Sequence, residues 1–281
     1  MSGLFSGRNA IVTGASRGIG AGIAERLAAE GANVAITART VDAHPTLPGS
    51  LNETLATLQA YGGTHVAIAA DMGDADDRAR IVPEARAALG PIDILVNNAA
   101  AAIYQPIVDY PLKRRRLMTE VNFHGPVDLM QAALPEMIER GEGWIVNVSS
   151  ATAQLAEGPP FANAESAATM VIYGSTKAAL NRVTNGMALA VHGTGVRVNT
   201  VEPRAAVLSP GADVLVGSRL RPDQIESLEA MVEAAISLCE CGPDVTGRIC
   251  SSLDLLDELG RTVMTLDATA PYPGGYRPVQ D

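Results

Sequence analysis

Arg8-Asn-Ala-Ile-Val-Thr13-Gly14-Ala-Ser16-Arg17-Gly18-Ile19-Gly20 is the stretch whose reading decides the fold. A short apolar run enters a turn with three glycines, and a segment rich in Ala, Leu and Glu, 21–30, follows it. Strand, glycine turn and helix in this order form the context in which such glycines bind phosphate. Gly14 permits the tight turn, while Gly18 and Gly20 let the backbone and a pyrophosphate come close. The helix opening there offers free N–H groups and the positive end of its dipole. Residues 31–40 read as a second strand, completing a βαβ unit of about 30 residues. A carboxylate at the end of that strand would bond a ribose 2′-hydroxyl, whereas an Arg would accommodate a 2′-phosphate. The chain carries Ala38-Arg39 there, and Arg17 in the glycine turn adds a second guanidinium. The two arginines point to NADP(H); NAD(H) is the alternative if Arg39 is only a solvated loop charge.

Working outward, Ser50 and Glu53 form a capping box for a helix running to about residue 60. Residues 64–70 read as a third strand ending in Asp71-Met72, where Asp71 can bond an adenine amino group, cap the helix beginning near Asp74, or do both. A fourth strand, 92–96, ends in Asn97-Asn98-Ala99-Ala100. Buried amides at that place can tie strand ends together and shape a cofactor floor. The segment 113–135 reads as one long helix in which Asn122 is awkward: it either faces solvent or bends the helix and holds a water. Strands are expected at 144–148, 195–201 and within 246–256, with an amphipathic helix at 222–240. The tail 261–281, with Pro271, Pro273 and Pro278, reads as irregular.

Tyr173-Gly-Ser-Thr-Lys177 lies in a segment, 171–189, that reads as a helix. At this spacing both side chains project from one face, about 5–6 Å apart at Cβ. A phenol with a pKa near ~10 is a poor acid or base at neutral pH. A neighbouring ammonium lowers that value, toward the range where acid–base catalysis is efficient. Upstream, Trp144-Ile-Val-Asn-Val-Ser149-Ser150 reads as a buried strand ending in two hydroxyls. A Ser beside a Tyr/Lys pair can hydrogen-bond a substrate oxygen and stabilise charge developing on it. The same spacing also occurs on ordinary surface helices, so it gains its weight from the glycine turn.

The 281 residues suit one large α/β domain or two small ones. Thirty-one acidic against 21 basic residues leave a net charge of −10, which argues against nucleic acid as a partner. An anionic ligand must therefore be held by local donors. Cys239, Cys241 and Cys250 are too few for a disulfide framework and read as reduced thiols. Cys239-x-Cys241 has no His or second Cys pair nearby, so no metal is expected. No apolar run reaches the length needed to span a bilayer, and a soluble, cytoplasmic protein is expected.

Taken together, Thr13-Gly14-x-x-x-Gly18-x-Gly20, Asn97-Asn98-Ala99-Ala100, Asn122, Ser150, Tyr173-x-x-x-Lys177 and Asn199…Pro203 resemble the short-chain dehydrogenase/reductase family over residues 5–257. The second strand followed by Ala43-His-Pro-Thr-Leu-Pro-Gly-Ser50 is similar to the subgroup of hydroxysteroid-dehydrogenase-like proteins and bacterial terpenoid-alcohol dehydrogenases. The resemblance implies an α/β fold: a single Rossmann-type domain, 1–260, with a doubly wound sheet of about seven parallel strands and helices on both faces. It implies a homo-oligomer, a tetramer or dimer, acting on a small-molecule alcohol or carbonyl substrate by hydride transfer. Tyr173 would be the acid/base, Lys177 would lower its pKa and bond the nicotinamide ribose, Ser150 would polarise the carbonyl, and Asn122 would anchor a relaying water. The cofactor-binding set would be Gly14, Ser16, Arg17, Gly18, Ile19, Gly20, Arg39, Thr40, Asp71, Met72, Asn98, Ala99, Ala100, Tyr173, Lys177 and Pro203, with Val207 and Ser209 from the following loop. Ser150, Ala151, Phe161, Tyr173 and Arg204 would meet the substrate, on loops 151–172 and 204–222.

Three departures stand out. Ala100 and Arg204 each occupy a place where the family usually has Gly, and Gly allows backbone geometry that Arg adopts only at a cost. Ser150 and Tyr173 are 23 residues apart, longer than usual, so the extra residues around 157–165 should form a loop at the active-site mouth with Phe161 lining it. A non-catalytic sensor of the nicotinamide pool is the rival reading, disfavoured because Tyr173 and Lys177 are both present.

Overall fold

The computed structural model describes residues 3–161, 167–209, 213–214, 220–221 and 224–274. Its first strand, β1 (Asn9–Thr13), is buried along its whole length, as an inner strand of a parallel sheet covered on both faces must be. The glycine turn leads into α1 (Gly18–Ala29), and β2 (Asn33–Ala38) then pairs parallel to β1. The chain continues through α2 (Leu51–Gln59), β3 (His65–Ala69), α3 (Ala75–Leu89), β4 (Ile94–Asn97), α4 (Leu112–Thr119), α5 (Gly125–Arg140) and β5 (Gly143–Val148). It closes with α6 (Val171–Ala190), β6 (Val196–Glu202), two short strands β7 (Ala206–Val207) and β8 (Ile225–Glu226), α7 (Leu228–Cys239), β9 (Ile249–Ser251) and α8 (Ser252–Leu259).

Seven strands form one parallel sheet in the order β3-β2-β1-β4-β5-β6-β9. Chain order reverses between β1 and β4, which opens a crevice at their C-terminal ends, where doubly wound sheets bind ligands. One face of the sheet packs on Ile23 and Leu27 of α1, Leu51 and Leu58 of α2, and Met231, Val232 and Ile236 of α7. The other packs on Ile81 and Val82 of α3 and on Leu129, Met130 and Met137 of α5. The expected doubly wound fold is the one observed.

Local chemistry sets the helix boundaries. Ser50 Oγ accepts from Glu53 N at 3.1 Å, as the capping box requires. Asp74 caps α3 by accepting from the backbone N–H groups of Asp76 and Asp77. The helix expected at 222–240 begins at Leu228 instead, because Ser227 Oγ accepts from Ala230 N and caps it there. Residues 225–226, expected in that helix, pair with β7.

The long helix expected at 113–135 is interrupted by a π-turn at Glu120–His124. Asn122 sits inside this turn, fully buried. Neither a solvent-facing Asn nor a simple bend describes it, for the wider turn swings the amide into the protein.

The tail is less irregular than its prolines suggest. Met264 forms an antiparallel bridge with Pro271, and Tyr272 N donates to Val263 O at 2.8 Å. Val263 is buried, and Arg261 Nε donates to Glu233 Oε1 at 2.6 Å. Glu233 lies on α7 and also accepts from Arg26 Nη1 of α1 at 2.7 Å, with both side chains almost wholly out of water. Residues 275–281 fall outside the described residues.

A buried carboxylate that answers two guanidiniums supports packing that no apolar contact makes. Removing one partner of a buried pair strands the other, at a cost of about 3–5 kcal/mol. Glu233→Ala is expected to lose stability of this size, read as a lower urea midpoint with unchanged slope. A loss under about 1 kcal/mol, the range of exposed pairs, would show that the pair is not stabilising.

Candidate active site

The crevice is built from the ends of β1, β4 and β5. Thr13 Oγ1 accepts from the backbone N–H groups of Asn98 and Ala99, both at 3.0 Å. Asn98 Nδ2 donates to Thr13 O and Gly14 O at 2.9 and 3.2 Å. These bonds clamp the fourth-strand floor onto the glycine turn. Gly14 has φ +66°, and a Cβ there would lie 2.7 Å from Ala99 Cα; no other residue fits. Gly20 is closed in by Asn98 and Gly14 O, while Gly18, at φ +58°, lies under Ser209. A cradle that a single methyl would fill, at the start of a helix, fits the diphosphate of a dinucleotide. Gly14, Gly18, Ile19, Gly20, Asn98 and Ala99 would hold it. Ser209, on the loop after β7, is brought to the same place, and Val207 is buried behind it. Ala100 is exposed.

At the ribose end, the Arg17 side chain donates to Pro48 O and Gly49 O at 2.9 and 2.8 Å. Burial lowers its pKa, Glu53 opposes that, and the charge of Arg39 adds to it. Arg39 is 68% exposed and 3.8 Å from Asp71 Oδ2. Asp71 does not cap α3; its Oδ1 accepts from Gly73 N at 2.8 Å. Met72 is buried, its carbonyl held by Arg78 Nη1 at 2.9 Å. Ser16 is buried in the turn, and Thr40 O accepts from Leu51 N.

Ser150, Tyr173 and Lys177 stand on a polar ladder. Asn97, Asn147 and Thr200 occupy one register across β4, β5 and β6. Asn97 Nδ2 donates to Asn147 Oδ1 at 2.8 Å, Asn147 Nδ2 to Thr184 Oγ1 at 2.8 Å, and Thr200 Oγ1 to Thr184 Oγ1 at 3.0 Å. Thr184 belongs to α6, so three strand ends fix the helix that carries Tyr173 and Lys177. Lys177 is buried and donates from Nζ to Val148 O at 2.7 Å. That same strand delivers Ser150, whose hydroxyl bonds the Tyr173 phenol and accepts from Thr152 N and Oγ1 at 3.3 and 3.0 Å. Ser149 is buried with its hydroxyl unpartnered among the described residues. Ser150 is thus the serine of the pair that meets Tyr173.

Asn122 spends its side chain on structure. Oδ1 accepts from Ala101 N at 2.7 Å, and Nδ2 donates to Ala101 O and Thr176 Oγ1 at 2.9 and 3.0 Å. It therefore ties the loop after β4 to α6, immediately before Lys177.

One expectation changes. Lys177 was expected to lower the Tyr173 pKa, but Tyr173 stands well above the usual phenol range. Burial dominates, the neighbouring Tyr104 adds to it, and the bond with Ser150 opposes them. Lys177 lies 5.9 Å from the ring centroid, engaged with Val148 O. Its own pKa is pushed down to about 8 by burial.

The remaining positions spread outward. Ala151 opens an exposed 3₁₀ turn after Ser150. Phe161 packs its ring against Gly158 and is 55% exposed; its neighbours 162–166 lie outside the described residues. The strain expected at Arg204 is not found: Ala268 is the sole non-glycine with positive φ among the described residues. Arg204 N donates to Ser252 Oγ at 3.0 Å, and its guanidinium pairs with Asp254 of α8. Its backbone follows Pro203 at the end of β6, and its side chain is committed to that helix.

The sequence reading missed three features. Tyr104 stacks edge-on against Tyr173. Glu202, buried at the end of β6, accepts from Gln154 Nε2 at 2.7 Å and steadies the turn behind Ser150. Thr176 receives Asn122. Only Glu202 left a trace, as an acid at the end of an apolar strand. The thiols are apart from the site: Cys239 and Cys250 are buried, and Cys241 Sγ bonds Leu238 O and Val245 O. Among the described residues no helix is long and apolar enough to cross a membrane.

Comparison with known proteins agrees with this fold. Residues 8–212 match the family model for short chain dehydrogenase. Hydroxysteroid dehydrogenase-like protein 2 of Danio rerio is 32% identical over 273 residues, which is 97% of this chain and 63% of that protein. The chain thus spans less than two thirds of that relative's length. A short chain dehydrogenase structure from Mycobacterium thermoresistibile superposes with a TM-score of 0.80 at 29% identity, covering 98% of this chain and 95% of the other. A 3-oxoacyl (acyl-carrier-protein) reductase from Agrobacterium tumefaciens, solved with NADP bound, gives 0.73 at 30% identity over 88% and 93% of the two chains. With a family model matched over residues 8–212 and relatives and structures similar over nearly its whole length, the chain belongs to the short chain dehydrogenase family.

Proposed function

We propose that this dehydrogenase/reductase is NADP(H)-dependent and interconverts an alcohol with a ketone or aldehyde, Tyr173 moving the proton. The observation that carries the proposal is the meeting of the Ser150 and Tyr173 hydroxyls, with buried Lys177 5.9 Å from the Tyr173 ring centroid. When bound, the nicotinamide supplies or accepts a hydride. In the reducing direction Ser150 donates a hydrogen bond to the carbonyl oxygen, and Tyr173 gives that oxygen its proton. Burial keeps Tyr173 protonated at neutral pH, the state this step needs. Lys177, with a pKa of about 8, is mostly charged at neutral pH and stabilises the phenolate left behind. Asn122 positions the loop after β4 and, through Thr176, the turn of α6 between Tyr173 and Lys177.

The preference for NADP(H) rests on Arg17 and Arg39, two cations near each other at the ribose end. A homo-oligomer belongs to the same proposal, since the long helices leave Ile138 and Leu189 exposed. The rival reading, a non-catalytic sensor, requires that Tyr173 do no chemistry.

Reduction of a ketone panel with NADPH, followed by absorbance, tests the assignment. Tyr173→Phe is expected to lower kcat by about 10²- to 10⁴-fold, the usual scale of acid–base catalysis, while still binding NADPH. Wild-type rates in that variant would favour the sensor. Arg39→Ala should weaken NADPH binding by about tenfold, as for one lost charge-assisted bond, and leave NADH binding unchanged. Equal effects on both would remove Arg39 from the 2′-phosphate site.

The buried lysine also predicts a stability profile for the cofactor-free protein. Unfolded, Lys177 holds its proton to about pH 10.5, whereas folded it releases it near pH 8. Between these values the unfolded chain binds more protons at this residue, so its contribution to stability should rise with pH. Cys239, Cys241 and Cys250, raised by burial from 9.0, and Tyr173, raised from 10.0, pull the other way as pH rises. The Lys177 contribution is therefore read as a difference: between about pH 8 and 10 the urea midpoint of the wild type should gain on that of Lys177→Met. A difference that stays constant or shrinks over this window would contradict it.

A further inference from the structure

Tyr104 lies in the loop after β4, between the Asn97-Asn98-Ala99-Ala100 floor and a 3₁₀ turn at Ile107–Asp109. Its ring meets that of Tyr173 edge to face, with centroids 5.6 Å apart and planes at 68°. This arrangement is attractive beyond the area it buries. The loop is pinned on either side of it. Tyr110 Oη donates to Ile103 O at 2.9 Å, and Gln105 N donates to Thr169 O at 2.9 Å. Arg114 Nη1 holds the Gln105 side chain at 2.6 Å. The Tyr104 ring is therefore fixed against Tyr173 and does not swing freely in a loop.

Its hydroxyl makes no hydrogen bond among the described residues, although the residue is half-buried. It is not among the buried unpartnered oxygens, so solvent reaches it and a ligand's polar atom can take the place of water there. The oxygen undergoing reaction is not that atom. Ser150 and Tyr173 already supply two donors to it, one for each lone pair of a carbonyl. We infer that Tyr104 is a specificity-determining residue whose hydroxyl bonds a second oxygen of the substrate, so that the site takes hydroxyketones and the matching diols ahead of simple ketones and alcohols. The inference rests on the oxidoreductase reading above.

The experiment is an internal competition with NADPH: cyclohexanone against its 2-, 3- and 4-hydroxy derivatives in one vessel, with products separated by chromatography. The wild type is expected to prefer at least one hydroxyketone by about tenfold in kcat/KM, the scale of one hydrogen bond. Tyr104→Phe keeps the ring and its packing and should bring that ratio to about one. Competition reads the ratio even when the variant is slow. A wild type without preference for any isomer, or a Phe variant that keeps the wild-type ratio, overturns the inference. A Phe variant that binds NADPH but reduces no ketone also overturns it, since the hydroxyl would then serve the reacting oxygen. A wild type that reduces none of the four ketones overturns the inference together with the oxidoreductase reading, so the two failures are told apart.

Discussion

Thr13 and Asn98 hold the molecule's working crevice open by holding its walls together. β1 and β4 lie side by side, yet the chain leaves them toward opposite faces of the sheet. Two strand ends that part company expose backbone groups that no helix or ladder satisfies. The Thr13 hydroxyl and the Asn98 amide answer four of these within 3.2 Å. Because the clamp is made of short side chains, the glycine turn is pressed against Ala99, and only a residue without Cβ survives at Gly14. The shape of the glycine turn and the pairing of the strands are here one constraint.

The Tyr173/Lys177 pair is set by withdrawal from water. Lys177 is wholly buried with one backbone carbonyl as its hydrogen-bond partner among the described residues, and its proton is correspondingly loosened. Tyr173 is displaced the other way by the same cause. Burial drives both groups toward their neutral forms, so their charges become sensitive to whatever polar matter enters the site. Proximity of Tyr and Lys on a helix face did not by itself lower the phenol's pKa, because desolvation outweighs a cation already committed elsewhere.

Much of this was legible in the residues. The βαβ start, the seven strands, the capping box at Ser50 and the Ser150/Tyr173/Lys177 grouping follow from periodicity, glycine placement and local spacing, which are properties of short segments. What was not legible depends on contacts distant in the chain. Asn122 looks like a helix defect until Ala101 and Thr176 are seen around it. Arg204 looks like a strained replacement for Gly until Ser252 and Asp254 take its backbone and side chain. The prolines of the tail conceal Arg261, whose partner Glu233 lies on another element. The start of α7 was placed too early because amphipathic pattern overruled the cap at Ser227.

The π-turn at Glu120–His124 has an evolutionary implication. Such a turn is an α-helix carrying one residue more than its pitch needs. Deleting that surplus would restore regular winding with the flanking helices left in place, at the expense of the inward amide of Asn122 and its bonds to Ala101 and Thr176. A single codon gained or lost here decides whether the loop after β4 has its partner.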